Sequence, residues 1–182
     1  MDKLILLVGE SGSGKTTIAD ELLKRGIVDN VINSYTTRPK RSEDETGHIF
    51  VEYADYMLTH NDDMIAYTYY DNNHYWATKE QYQGKGTSVY VIDPKGVKDI
   101  KRLVKDAEVI VIYLKVDEST RRMRMVYRGH WKDAYGEIQK LEQRITHDKQ
   151  AFAIVQCDYC INNNTDIDIT IQHIQGILEG QI

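Results

Sequence analysis

Residues 4–16 read LILLVGESGSGKT, an apolar run followed by a glycine-rich turn that closes on Lys-Thr. KLILLV (3–8) has the pattern of a buried strand. Thr16 to Arg25 follows as a helix, with Ile18, Ala19, Leu22 and Leu23 on one face and Gly26 ending it. Between strand and helix, such a turn aims the unpaired N–H groups of the helix's first turn at an anion. Gly9, Gly12 and Gly14 let the backbone wrap phosphates where a Cβ would intrude. Lys15 reaches the outer phosphates as a point charge, and Thr16 offers its hydroxyl to Mg²⁺. The triphosphate-binding set is therefore Gly9, Ser11, Gly12, Ser13, Gly14, Lys15, Thr16 and Thr17, with Thr16 as the protein's metal contact and a nucleoside triphosphate with Mg²⁺ as the expected occupant.

The 182 residues match one ordinary domain with a real core, and the net charge of −5 argues against a dedicated nucleic-acid binder. No apolar run reaches the ~18 residues that a membrane span needs, and MDKLILLVGES is too short in its apolar part for a signal peptide. The expected address is the cytosol and the expected partners are small nucleotides; a homodimer is left open. Cys157 and Cys160, in CDYC, have neither a second cysteine pair nor a neighbouring histidine. They read as two reduced thiols near the core rather than a metal or redox centre. The six histidines form no H-x-x-x-H or H-E-x-x-H pattern.

Strands and helices alternate outside two stretches. SVYVID (88–93) and VIVIYLKV (109–116) are β-branched runs suited to a sheet buried on both faces, with a helical stripe of Val97, Ile100 and Val104 between them. DYCIN precedes a last helix from about Asp166, for which Thr165 and Asp168 make a capping box. This alternation predicts a parallel α/β sheet with ligands at the strands' C-terminal edge. Residues 33–86, rich in tyrosine and asparagine, and residues 117–152, helical and rich in arginine, interrupt it as excursions from one core.

A switch GTPase needs a base-reading N-K-x-D, which is missing, and the chain leaves little room for a motor. A small-molecule kinase needs an acceptor-phosphate site and an arginine-rich lid. SYTTRPKR (34–41) supplies the first: Arg38 and Arg41 are spaced three apart around Pro39, and guanidinium forks match phosphate oxygens in pairs. Arg121, Arg124 and Arg128 fall at i, i+3 and i+7 and share a helical face, leaving Met123, Val126 and Tyr127 on the opposite face to pack inward. Arginines on a closing lid neutralise the transferring phosphoryl and exclude water.

Taken in order, GESGSGKT, S-x-T-T-R-x-x-R, MIAYTYYDNNHYWAT, VIDPKGV, Y-R-G and DYCINN resemble the guanylate kinase family over nearly the whole chain. The resemblance implies a three-layer α/β/α P-loop NTPase core around a central parallel sheet (1–32, 87–116 and 148–182). It also implies an inserted monophosphate-binding subdomain (33–86) and a helical lid (117–147), with ATP- and Mg²⁺-dependent phosphorylation of a monophosphate. By the same resemblance, Ser34, Arg38, Arg41 and Tyr75 hold the acceptor phosphate. Lys15, Arg128, Arg144 and Asp93 stand at the reacting phosphates, Arg124 joins the ATP site, and Asn162 lies near the adenine. Asp93, before Pro94, also reads as an ordinary helix N-cap. The base-reading positions depart from the family pattern. Its guanine-binding glutamate is Ala66, its hydroxyl is Ala77 beside Trp76 in place of glycine, and a further tyrosine is His48. A polar edge left without partners discriminates differently by orders of magnitude. Three expectations follow: GMP read by other groups such as Asp71, His74 or Thr78, a different monophosphate or phosphorylated sugar, or a binding module with little activity.

Overall fold

The computed structural model describes residues 1–40, 43, 45–59, 61–128 and 134–181, leaving aside the side chains of residues 128, 134, 135 and 137. In chain order the elements are β1 (Asp2–Val8), α1 (Lys15–Lys24), β2 (Asn30–Ile32), β3 (Ser34–Thr36), β4 (His48–Phe50), α2 (Tyr53–Leu58), β5 (Met64–Tyr70) and β6 (Asn73–Thr78). They continue as β7 (Thr87–Val91), α3 (Pro94–Leu103), β8 (Ala107–Lys115), α4 (Glu118–Arg128), α5 (Ala134–Ala151), β9 (Tyr159–Asn162) and α6 (Ile167–Leu178).

Five strands form a wholly parallel sheet in the order β2-β7-β1-β8-β9. Leu4 to Val8 of β1 are fully buried, as a central strand covered on both faces requires. Alternate side chains divide between two cores: Leu4, Leu6 and Val8 face α3 and the second sheet, while Ile5 and Leu7 face α1 and α6. The result is three layers around a parallel sheet, the α/β architecture expected. The second sheet, β4-β3-β6-β5, is mixed: β3 and β4 run parallel, and β6 is antiparallel to both of its neighbours. It packs onto the core through Ile65, Ala66 and Ala77.

Local chemistry sets the ends of these elements. α1 begins at Lys15, one residue earlier than the sequence pattern suggests, because Gly14 takes the left-handed conformation (φ 90°) as its cap. The cap of α6 is Asp166, whose carboxylate accepts from the Asp168 N–H, so the expected Thr165–Asp168 box is replaced by a simple N-cap. Cys157 packs half-buried against the core, whereas Cys160 is exposed on β9, so only one thiol lies near the core. Among the described residues, no helix is long and apolar enough to cross a membrane.

Candidate active site

The loop between β1 and α1 is held from below by three side chains from the far end of the chain. Asn163 is buried; its Nδ2 donates to the Ser13 carbonyl (2.7 Å), and its Oδ1 accepts from the Thr170 hydroxyl (2.8 Å). Asp148, on α5, accepts the Ser11 N–H at 2.6 Å. Arg121, on α4, pairs with Glu10 at 2.9 Å and lies 3.8 Å from Asp148. The loop has no room for side chains at its glycines: a Cβ on Gly12 would meet the Arg121 carbonyl at 2.7 Å, and one on Gly14 the Asn163 amide at 2.8 Å. Gly12 and Gly14 both have positive φ, so glycine is required twice over. Ser13 is fully buried and belongs to this scaffold. The Lys15 ammonium lies over the loop, donating to the Gly9 carbonyl (2.6 Å) and the Glu10 carbonyl (3.1 Å). Thr16 and Thr17 stand exposed at the head of α1. A glycine-lined cradle with a lysine over it and an exposed hydroxyl at the helix head fits a Mg²⁺-bound triphosphate.

The lid arginines lie the other way round from the expected arrangement. Arg121 is 3% exposed, while Met123, Val126 and Tyr127 face solvent at 53, 38 and 82%. The arginine face of α4 packs inward because Glu10, Asp148 and loop carbonyls meet it. Arg124 donates to the Asn163 carbonyl at 2.9 Å, beside the loop. Arg128 ends α4, its side chain outside the described residues. Asn162 is exposed and caps a local turn by accepting the Asn164 N–H at 2.9 Å. The asparagine that reaches the nucleotide loop is its neighbour Asn163. INNN holds three candidates, and only the strand's inside–outside alternation selects among them.

A cleft of about 1300 Å³ runs from this loop to the second sheet, and its lining includes Gly9, Ser11, Lys15, Ser34, Tyr75, Asp93 and Arg144. Residues expected at the donor and at the acceptor thus meet in one cavity. Arg38 is largely buried and bound by Glu45 at 2.7 Å, which raises its already high pKa. Arg41 lies outside the described residues. Asp93 caps α3, its Oδ1 accepting the Gly96 N–H (2.7 Å), while Oδ2 accepts from the Thr68 hydroxyl (3.3 Å). One carboxylate therefore serves both the helix and the cleft wall.

The base-reading candidates separate. Ala66 lines the cleft as a bare wall, and Ala77 is fully buried. Thr68, His48 and Asp71 also line it. His74 is taken up in an aromatic stack, 3.8 Å from the Tyr56 ring, with its Nδ1 2.8 Å from the Tyr67 hydroxyl. Thr78 is buried in a capping box with Gln81. Trp76 stacks on Tyr35 inside the second sheet, whereas Tyr67, Tyr70 and Tyr75 reach the cleft.

The family model for guanylate kinase matches residues 1–181. This chain belongs to the guanylate kinase family. Among curated relatives of this family member, guanylate kinase from Wolbachia sp. subsp. Brugia malayi is 30% identical, the match covering 98% of this chain and 92% of the relative. Guanylate kinase from Rhodopseudomonas palustris is 26% identical, over 98% of this chain and 82% of the relative. The crystal structure of guanylate kinase from Anaplasma phagocytophilum superposes with a TM-score of 0.66 at 20% identity, covering 99% of this chain and 86% of that one, a likeness of fold. The family member is accordingly a P-loop nucleotide kinase.

Proposed function

We propose that this protein transfers the γ-phosphoryl group of ATP to a nucleoside monophosphate, with GMP converted to GDP, in the presence of Mg²⁺. The observation that carries the reading is the single cleft that Lys15, Ser34, Tyr75, Asp93 and Arg144 line together. An oxygen of the acceptor phosphate attacks the γ-phosphorus, the bond between that phosphorus and its bridging oxygen breaks, and ADP leaves. The chain needs no covalent nucleophile, because positioning and charge neutralisation carry phosphoryl transfer. Lys15 and the loop N–H groups hold the β and γ phosphates, Arg144 approaches from the lid helix, and Ser34, Arg38, Arg41 and Tyr75 hold the acceptor. The Thr16 hydroxyl would hold Mg²⁺, which would supply charge neutralisation at the phosphates.

Ala66 favours a second reading, in which the same chemistry serves another acceptor. A methyl group at the cleft wall cannot accept from a guanine N1–H or amino group. The deciding experiment is ADP release from ATP·Mg²⁺ with GMP, dGMP, IMP, AMP, CMP, UMP, dTMP and ribose phosphates, with Lys15→Ala as blank. GMP turnover well above the others supports GMP. Preference for another acceptor establishes the second reading, and silence with all of them, ATP still binding, overturns kinase activity.

A further inference from the structure

Tyr90 sits one residue before the C-terminal end of β7, on the face of the central sheet that packs against Ala66 and Ala77 in one buried cluster. It is 3% exposed, and its hydroxyl lies 2.6 Å from Ser34 Oγ, at the start of β3. Both residues line the cleft. The bond therefore crosses from the core sheet to the second sheet at the wall of the cleft. A phenylalanine would satisfy the apolar packing alone, so the core gives no reason for the hydroxyl. Asp93 is not its partner, since that carboxylate directs its oxygens to the Gly96 N–H and the Thr68 hydroxyl.

We propose that Tyr90 is a positioning residue for the acceptor: its hydroxyl donates to Ser34 Oγ and turns the Ser34 proton outward, toward a phosphate oxygen of the bound monophosphate. Two hydroxyls in contact share one hydrogen bond, and the direction of that bond decides where the second proton points. A phenol, with an ordinary pKa of ~10, is the stronger donor of the two, which sets the direction as Tyr90 to Ser34. Burial, reinforced by the nearby Asp93 charge, pushes the Tyr90 hydroxyl up to about 12, so it stays protonated and keeps its donor through the working range. A hydroxyl that already accepts one hydrogen bond donates the next more strongly, and here the next goes to a dianion. This inference rests on the proposed monophosphate acceptor and adds to it the group that aims Ser34.

The test compares wild type, Tyr90→Phe, Ser34→Ala and the double variant, by steady-state kinetics on the preferred acceptor and by calorimetric binding of GMP. Tyr90→Phe is expected to weaken acceptor KM and GMP Kd about 3- to 10-fold, leaving the KM for ATP within about twofold. In the Ser34→Ala background the same change is expected to add nothing, because its effect passes through that serine. An unchanged acceptor affinity, or an equal loss in both backgrounds, overturns the proposal. 3-Fluorotyrosine at position 90 keeps the ring and strengthens the donor. It is expected to tighten the acceptor near neutral pH, also where Tyr90→Phe folds poorly; no tightening counts against the proposal. Wild type that binds GMP without turnover sinks the kinase reading alone, since the variants are still read by Kd. Wild type that binds and phosphorylates none of the monophosphates sinks both.

Discussion

At the donor end of the cleft, the nucleotide loop is met from behind by side chains more than a hundred residues away. Asp148 takes the Ser11 N–H, Asn163 the Ser13 carbonyl, and Arg121 the Glu10 carboxylate, all three being nearly or fully buried. At the acceptor end, Ser34 and Tyr75 sit on short strands of a second sheet, and Arg38 is held by a neighbour in its own loop, Glu45. The first region is over-determined by long-range polar contacts, and the second by few. A loop packed this closely cannot adjust, because a Cβ on Gly9, Gly12 or Gly14 would run into its neighbours. A site made of side chains can change one residue at a time, and Ala66 is one residue of its wall. Under the proposed function, the loop sets the chemistry and the side chains of the second sheet set the choice of acceptor.

The contrast is tested most severely by Lys15→Ala. Turnover is expected to fall about 10³-fold, the order seen when one pre-organised charge is withdrawn from a transferring phosphoryl. Thermal melting should scarcely move, and a variant with near-normal rates would remove the loop from the mechanism.

Stability separates the two ends next. Arg121→Ala leaves Glu10 and Asp148 without their shared cation, and the breaking of such a buried network costs about 3–5 kcal/mol. Urea denaturation should show that loss, with a melting temperature lower by roughly 10 °C. Arg38→Ala should cost much less stability and act on acceptor KM instead. Equal destabilisation by the two substitutions would erase the distinction.

High pH probes both ends together. Burial raises Tyr90, bonded to Ser34, and Tyr113, bonded to Glu10, each to about 12. In the unfolded chain these phenols ionise at ~10. Their contribution is whole below pH ~10 and is lost as pH rises through about 12, because the unfolded state releases its protons first. Melting temperature measured from pH 8 to 12, with tyrosinate absorbance followed alongside, should fall from about pH 10 onward as the protein unfolds. Tyrosinate appearing near pH 10 for all thirteen tyrosines without unfolding would show that neither hydroxyl is shielded.

The smallest effect is expected for Asp93→Ala, which removes the cap of α3 at a cost of about 1 kcal/mol. Asp93→Asn should restore most of that cap. If asparagine restores stability but not turnover, the carboxylate's charge matters in the cleft as well as at the helix.

The sequence by itself determined the loop, the strand that feeds it, the parallel core and the order of the kinase motifs. These are local facts: glycines where φ is positive, apolar runs that need cover on both faces, a capping carboxylate before Pro94. It placed Lys15, Ser34, Tyr75, Asp93 and Arg144 as candidates, and folding brings all five to one cavity. Periodicity also grouped the lid arginines on one face of α4. Which face would be buried was decided by partners far away in the chain: Glu10 and Asp148 draw Arg121 inward, and Met123 and Tyr127 are left outside. The contact of Asn163 with the loop, and the meeting of Tyr90 with Ser34 across two sheets, were settled in the same way. Each depends on where a distant polar group arrives, because a buried hydrogen bond or ion pair is worth its desolvation only when its partner is in place.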